Sequence, residues 1–111
     1  MSEQKQMKPL KIQDGVARSE KAIVSRKLIG NANGNVTLFG FDEGQEISGH
    51  STPFDAGAFV ASGSIRIRVG DETHVVEEGE FLEMPAGIEH ALTALKPSLM
   101  LLAMIRTPKE K

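Results

Sequence analysis

Two histidines, His50 and His90, carry the side chains best suited to chemistry in this chain. A neutral imidazole offers one lone pair and one N–H. It can hold a borderline divalent ion, move a proton near neutral pH, or read a polar group on a ligand. Competing chemistries are few. The sequence has no cysteine, tyrosine or tryptophan, which removes thiolate nucleophiles and ligands, a tyrosine acid and a tryptophan stacking platform. It also lacks a G-x-S-x-G elbow, a G-x-x-x-x-G-K-S/T loop and a dinucleotide fingerprint, so hydrolase, nucleotide and Rossmann readings find no support.

Strict alternation along an extended strand puts Glu46, Ser48, His50 and Thr52 on one face, and Ile88, His90 and Leu92 on another. A ligand pocket of His50, Thr52, His90 and Leu92 follows. Two readings of it stand side by side. In one, the histidines are a polar pair that only hydrogen-bonds inside a mostly apolar pocket. In the other they hold a metal, with Asp55 completing a two-His-one-carboxylate face. Pro53 perturbs the strand just before Asp55, so alternation does not decide where that carboxylate points. Glu46 is a weaker ligand, about 13 Å from His50 at the usual ~3.3 Å rise per residue.

The remaining polar groups have plainer readings. His74 lies between Thr73 and Val75 on a surface hairpin and reads as solvated. Arg66 and Arg68 form a solvated stripe, or else a recognition site for carboxylate or phosphate. Glu77, Glu78, Glu80 and Glu83 are turn and surface charges. The methionines Met84, Met100 and Met104 fill core gaps, with some at the pocket mouth.

The elements that position these residues are strands. Residues 1–15 form a flexible lead-in ending at the turn-like Asp14-Gly15, and Val16 to Lys27 has weak helical character. From Lys27 onward, short strands alternate with turns. Asn31-Ala32-Asn33-Gly34 is a hairpin signal. Ser64 to Val69 is the clearest alternation, with Ile65, Ile67 and Val69 on one face. Phe81 to Met84 stops at Pro85, Ile88 to Ala94 follows, and Leu99 to Ile105 is apolar throughout, as in a strand buried on both faces. About eight to nine strands with turns every 8–12 residues predict an antiparallel jelly-roll barrel, one domain over 16–111.

Two stretches resemble the paired motifs of the cupin family. Its second motif, G-x5-P-x-G-x2-H-x3-N, is matched at Gly79, Pro85, Gly87 and His90, with Ala94 in place of the final Asn. Its first, G-x5-H-x-H-x3-4-E-x6-G, is matched at Gly44, His50 and Gly63, but Thr52 and Ala56 replace the second His and the Glu. The wider wording of Gly44 to Ala56 and Met84 to Leu92 resembles small single-domain bacterial cupins. The resemblance implies an all-β double-stranded β-helix with a short irregular or helical N-terminal segment. It also implies a metal such as zinc, iron, manganese or nickel at the histidines, although two of four ligand positions are changed.

Three functions fit these residues: a binding module for a small, partly apolar molecule, a metal-dependent dioxygenase or isomerase with a nonstandard third ligand, and a dimer with a vestigial pocket. The net charge of −2 gives no basic excess for nucleic acid, and no apolar run is long enough to span a membrane. The polar N-terminus with Lys5, Lys8 and Lys11 does not read as a secretory signal, and the lack of cysteine suits the reducing cytoplasm. A homodimer is expected, because a small barrel leaves an edge or face to cover.

Overall fold

The computed structural model describes residues 8–17 and 19–107. Nine strands follow a 3-10 turn at Ile12–Asp14: β1 Ile23–Asn31, β2 Gly34–Phe41, β3 Glu46–His50, β4 Phe54–Ser62, β5 Ser64–Val69, β6 Glu72–Glu77, β7 Phe81–Met84, β8 His90–Ala94 and β9 Ser98–Arg106. They form two antiparallel sheets, ordered β1-β2-β9-β4-β7 and β3-β8-β5-β6. Among the described residues no helix is long and apolar enough to cross a membrane.

The sheets face each other across a single apolar layer. Residues directly opposite on paired strands share a face, so the registers assign every side chain. Met100 opposes Val60 and Phe39, while Ala56 opposes Met84 and Met104. From the other sheet, Ile67 opposes Leu92 and Ile65 opposes Ala94. These side chains meet in one core with Phe41, Ala58 and Val76. Strand β5 shows the period of two plainly, since Ile65 and Ile67 are buried and Arg66 is exposed.

Strand β2 is apolar on both sides for a separate reason. Phe41 faces the core, whereas Leu38 faces out and is still fully buried. The N-terminal segment lies over Leu38, with Gly15 against it and Leu10 beside Gly15, and Val16 packs beside Gly40. The Asp14-Gly15 turn is present, its Gly15 N–H donating to the Ile12 carbonyl at 3.0 Å. The weak helical signal of Val16 to Lys27 is overridden from Ile23 onward, where β1 pairs with β2 along its length. The expected flexibility of residues 1–7 lies outside the described residues.

Strand β4 carries no clear signal, because Ala56, Gly57 and Ala58 have low strand propensity. It is a strand because β7 and β9 flank it on both sides. Strand β9 differs from expectation at its far end. Leu99 and Met100 are buried, but Ile105 is 65% exposed on the outer face of the five-stranded sheet.

The β4–β5 turn depends on glycine. Gly63 has φ +94°, and a Cβ there would overlap Ser98 Oγ and lie 2.6 Å from the Pro97 carbonyl oxygen. That hydroxyl accepts the Ser64 N–H at 3.0 Å and donates to the Lys96 carbonyl at 2.7 Å, locking two turns together. Gly63→Ala is expected to cost at least about 2 kcal/mol. The matching fall in Tm, roughly 8–16 °C, is measurable by calorimetry. A change below 2 °C would contradict this packing.

Candidate functional site

His50 ends β3 and His90 begins β8, and the two are paired across the sheet. Their rings lie edge to face, with centroids 4.5 Å apart and an interplanar angle of 64°. A local irregularity makes the pairing. Glu46 opposes Thr93 and Ile47 opposes Leu92, but the register then shifts so that His50, rather than Gly49, meets His90. One extra residue moves every following side chain to the other face. Glu46 therefore faces outward, where its carboxylate accepts the Thr93 hydroxyl at 3.3 Å, while His50 joins Ile47, His90 and Leu92 on the barrel side. The shared face expected for Glu46 and His50 is thus corrected by a β-bulge.

The two imidazoles differ in environment. His50 is exposed, and its Nδ1 lies 3.0 Å from the Ser48 carbonyl oxygen. A carbonyl only accepts, so Nδ1 donates and a neutral ring presents its Nε2 lone pair. His90 is only 6% exposed, and its Nδ1 is buried without a hydrogen-bond partner. Burial, reinforced by the charge of His50, holds the His90 pKa below its ordinary 6.5. The Ile88 backbone opposes both, without completing a hydrogen bond to Nδ1.

The residues around the pair serve as a clamp. Thr52 Oγ1 accepts the Phe54 N–H at 2.8 Å, and the Thr52 carbonyl accepts the Gly87 N–H at 2.8 Å. Asp55 Oδ1 accepts the Ala86 N–H at 2.9 Å. The loop after His50 and the loop before His90 therefore hold each other. Asp55 shares its side of β4 with Gly57 and lines a concavity with Phe81 and Ile105, away from the core-facing side of Ala56. Leu92 lies next to His90 on the barrel face, but it is part of the packed core.

Among the described residues, no three His, Cys, Asp or Glu side chains gather where a metal could sit. The donor set is two imidazoles, with the Thr52 hydroxyl engaged in its turn and Ala56 offering no lone pair. Protein sites for zinc or iron need at least three ligands, so these residues do not fit the metal centre implied by the paired motifs.

Sequence reasoning missed a second feature. His50, His90, Val69 and Glu72 form one row across the barrel face of four strands, and His74 stands one row over, opposite Ile67. His74 is partly exposed, as expected, and lies 3.2 Å from Glu72 Oε1. Both also line a concavity of about 490 Å³ with Val69, Leu82, Pro85 and Ile88. The concavity contains neither His50 nor His90, but Val69 is the direct neighbour of His90 on its row. The period-two position of His74 was the available signal. Arg68 is less free than a solvated stripe suggests, since it donates to the Gly70 carbonyl at 2.9 Å and lies 3.8 Å from Glu89.

Comparison with known proteins bears on this arrangement. The family model described as Cupin domain matches residues 37–105. A conserved protein of unknown function from Streptococcus pyogenes is 36% identical, with 95% of this chain and 92% of that one covered and a TM-score of 0.88. A cupin superfamily protein from Desulfitobacterium hafniense is 22% identical over 92% of this chain and 94% of its own, with a TM-score of 0.86. A cupin 2 conserved barrel domain protein from Leptotrichia buccalis is 29% identical over 85% of this chain and 46% of its own, with a TM-score of 0.81. No curated protein matches in sequence.

The depressed His90 pKa sets the sign of a pH effect. Below about 6.5 the unfolded chain takes up this proton more readily than the folded one. Stability contributed by neutral His90 is therefore complete above pH 6.5. It is lost as pH falls, until the folded ring protonates too. Urea melts at pH 7.5, 6.0 and 5.0 should show wild type losing more stability than His90→Gln over that range. Parallel losses would contradict the assignment.

Proposed function

This chain belongs to the cupin family, and on that footing we propose that it binds a small oxygen-bearing molecule with an apolar body, using His50 and His90 as polar anchors. The observation that carries the reading is the buried, unpartnered Nδ1 of His90 beside the His50 ring. A buried polar atom without a partner costs about 1–3 kcal/mol, which a ligand hydrogen bond would offset. The Nε2 lone pair of His50 wants a donor, and the His90 ring supplies a second polar contact. A hydroxyl, an enol or a carboxylic acid both donates and accepts, and so answers both rings.

The apolar body has a place to lie. Val69, Leu82, Pro85 and Ile88 give the adjacent concavity apolar walls, and about 490 Å³ is a usual size for a small-molecule site. Glu72 and His74 would meet polar substituents at its rim. A dioxygenase or isomerase built on a bound metal gains no support from a two-imidazole donor set. We assign the histidines to recognition.

The test is a thermal-shift screen of short-chain carboxylic acids, enols and phenols, followed by ¹⁵N spectra of the imidazole rings. A ligand at ten times its Kd stabilises by about 1.4 kcal/mol, raising Tm by roughly 6–11 °C. At least one compound is expected to do so, to shift the His90 ring nitrogens, and to lose its effect in His90→Gln. If no compound moves either the Tm or the ring signals, the reading fails. Metal is checked separately, by reconstitution with iron, manganese, nickel and zinc and elemental analysis after buffer exchange. Less than about 0.1 ion per chain is expected, because two ligands fall short of the usual three or four. Near-stoichiometric metal that disappears in a His50→Ala, His90→Ala variant would restore the enzyme reading.

A further inference from the structure

The two sheets do not close on every side. Strand β6 ends one sheet and β7 ends the other, so each has an edge without a partner strand. The concavity of about 490 Å³ lies in the seam between them. Val69, Leu82 and Ile88 line it with apolar surface, while Asp71 and Glu72 stand on the β6 side and Glu83 on the β7 side. No lysine or arginine is among its lining residues. Arg68, next in sequence to Val69, is held by the Gly70 carbonyl at 2.9 Å and lies 3.8 Å from Glu89. The lone basic group in the lining is His74, whose Nε2 lies 3.2 Å from Glu72 Oε1. Three carboxylates thus face at most one imidazolium.

We propose that the molecule anchored by His50 and His90 carries a protonated amine at its far end, held in this seam by Asp71, Glu72 and Glu83. The ligand is then an amine-bearing alcohol or phenol with a short apolar body. The inference rests on the recognition reading of the two histidines and adds the charge of the ligand. Placement is the first argument. His90, Val69 and Glu72 are consecutive members of one row across β8, β5 and β6. Neighbouring strands lie about 4.8 Å apart, which puts His90 and Glu72 about 10 Å apart. At one end of this row the His90 Nδ1 is buried without a partner, and at the other stands an exposed carboxylate. With a hydrogen bond at each end, an oxygen and a nitrogen roughly 4–8 Å apart span the row over Val69.

The second argument is the kind of cation that fits. Among the described residues no three acidic or imidazole groups converge on a point where a metal ion could sit. The carboxylates instead surround a volume, which suits an organic ammonium with several N–H donors pointing apart. Each carboxylate is exposed, and a single exposed ion pair contributes little. Three of one sign around a concavity with apolar walls reinforce one another. Together they should favour a cationic ligand about tenfold over a neutral one of the same shape. They oppose an anionic group at the same place.

Three phenols test the proposal: tyramine, para-ethylphenol and para-hydroxyphenylpropionate. They share the ring and hydroxyl and differ in the charge at the far end. NMR titration of the full chain at neutral pH reads affinity from the backbone amides of Val69 and Leu82, and the hydroxyl anchor from the His90 ring nitrogens. Tyramine is expected to bind about tenfold tighter than para-ethylphenol, with the propionate weakest. The double variant Glu72→Gln, Glu83→Gln should remove most of that gap, and raising salt from about 20 mM to about 500 mM should narrow it in the wild type. Both positions are exposed, so the fold should be kept. Glu43→Gln, on the turn between β2 and β3, should leave the gap unchanged. Equal affinity for tyramine and para-ethylphenol, with both shifting His90, overturns the amine assignment and leaves the recognition reading standing. A tyramine preference that survives the double variant overturns it too. Tyramine that shifts Val69 and Leu82 without the His90 ring overturns the two-ended placement. If none of the three binds, the amine assignment and the recognition reading fall together.

Discussion

The two sheets close over one layer of alternating side chains, and the rest of the molecule depends on where that layer ends. Its middle is aliphatic and aromatic, with Phe41, Val60 and Met100 from one sheet against Ile65, Ile67 and Leu92 from the other. Each strand reaches this interior only by keeping a period of two. At the mouth the layer continues with imidazoles, as His50 and His90 extend the row begun by Val69. His90 is buried as deeply as its apolar neighbours and yet leaves Nδ1 unpaired. The cost of such an atom is a noticeable share of a stability that totals only about 5–15 kcal/mol. An aliphatic side chain would fill the position without that cost, so packing alone does not account for the ring.

The two loops at the mouth are one mechanical unit. Thr52 and Asp55 sit near the positions where a ligand set was sought, and both turn out to hold backbone. The Thr52 carbonyl holds Gly87, Asp55 holds Ala86, and the Thr52 hydroxyl closes the turn into β4. The stretch from Pro85 to Glu89 is thereby fixed before β8 starts, which sets where the His90 ring begins. The motif halves that looked like a metal site with missing parts are better described as two loops that brace each other around a pair of imidazoles.

Much of this was readable in the residues. The alternation of β5, the stop at Pro85, and the hairpin turn between Asn31 and Gly34 appear at or near their expected places. The bulge before His50 was not readable, since inserting one residue leaves no mark in composition yet reverses the face of all that follows. Strand β4 was obscure because Ala56, Gly57 and Ala58 owe their conformation to strands on either side rather than to their own preference. His74 reads as solvated from its place on a surface hairpin, while its position beside the mouth depends on pairing with β5. What escaped in each case was a property of pairing between distant segments.

The apolar run of β9 shows the same limit from the other side. Leu99 to Ile105 was expected to be buried on both faces, and its inward residues, Met100, Leu102 and Met104, do pack on the core. Its outward residues divide. Leu99 is buried and Ile105 is bare. Hydrophobicity in a central strand thus reports the total surface to be covered without saying whether one chain covers it. Because successive residues point to opposite faces, Ala56 and Met84 serve the interior while Gly57 and Glu83 serve the outer surface. Asp55 is the exception: it lines the hollow beside Ile105 on the outer face while its carboxylate anchors the turn ahead of His90. Asp55 thus joins the outer surface of this sheet to the loop that precedes His90.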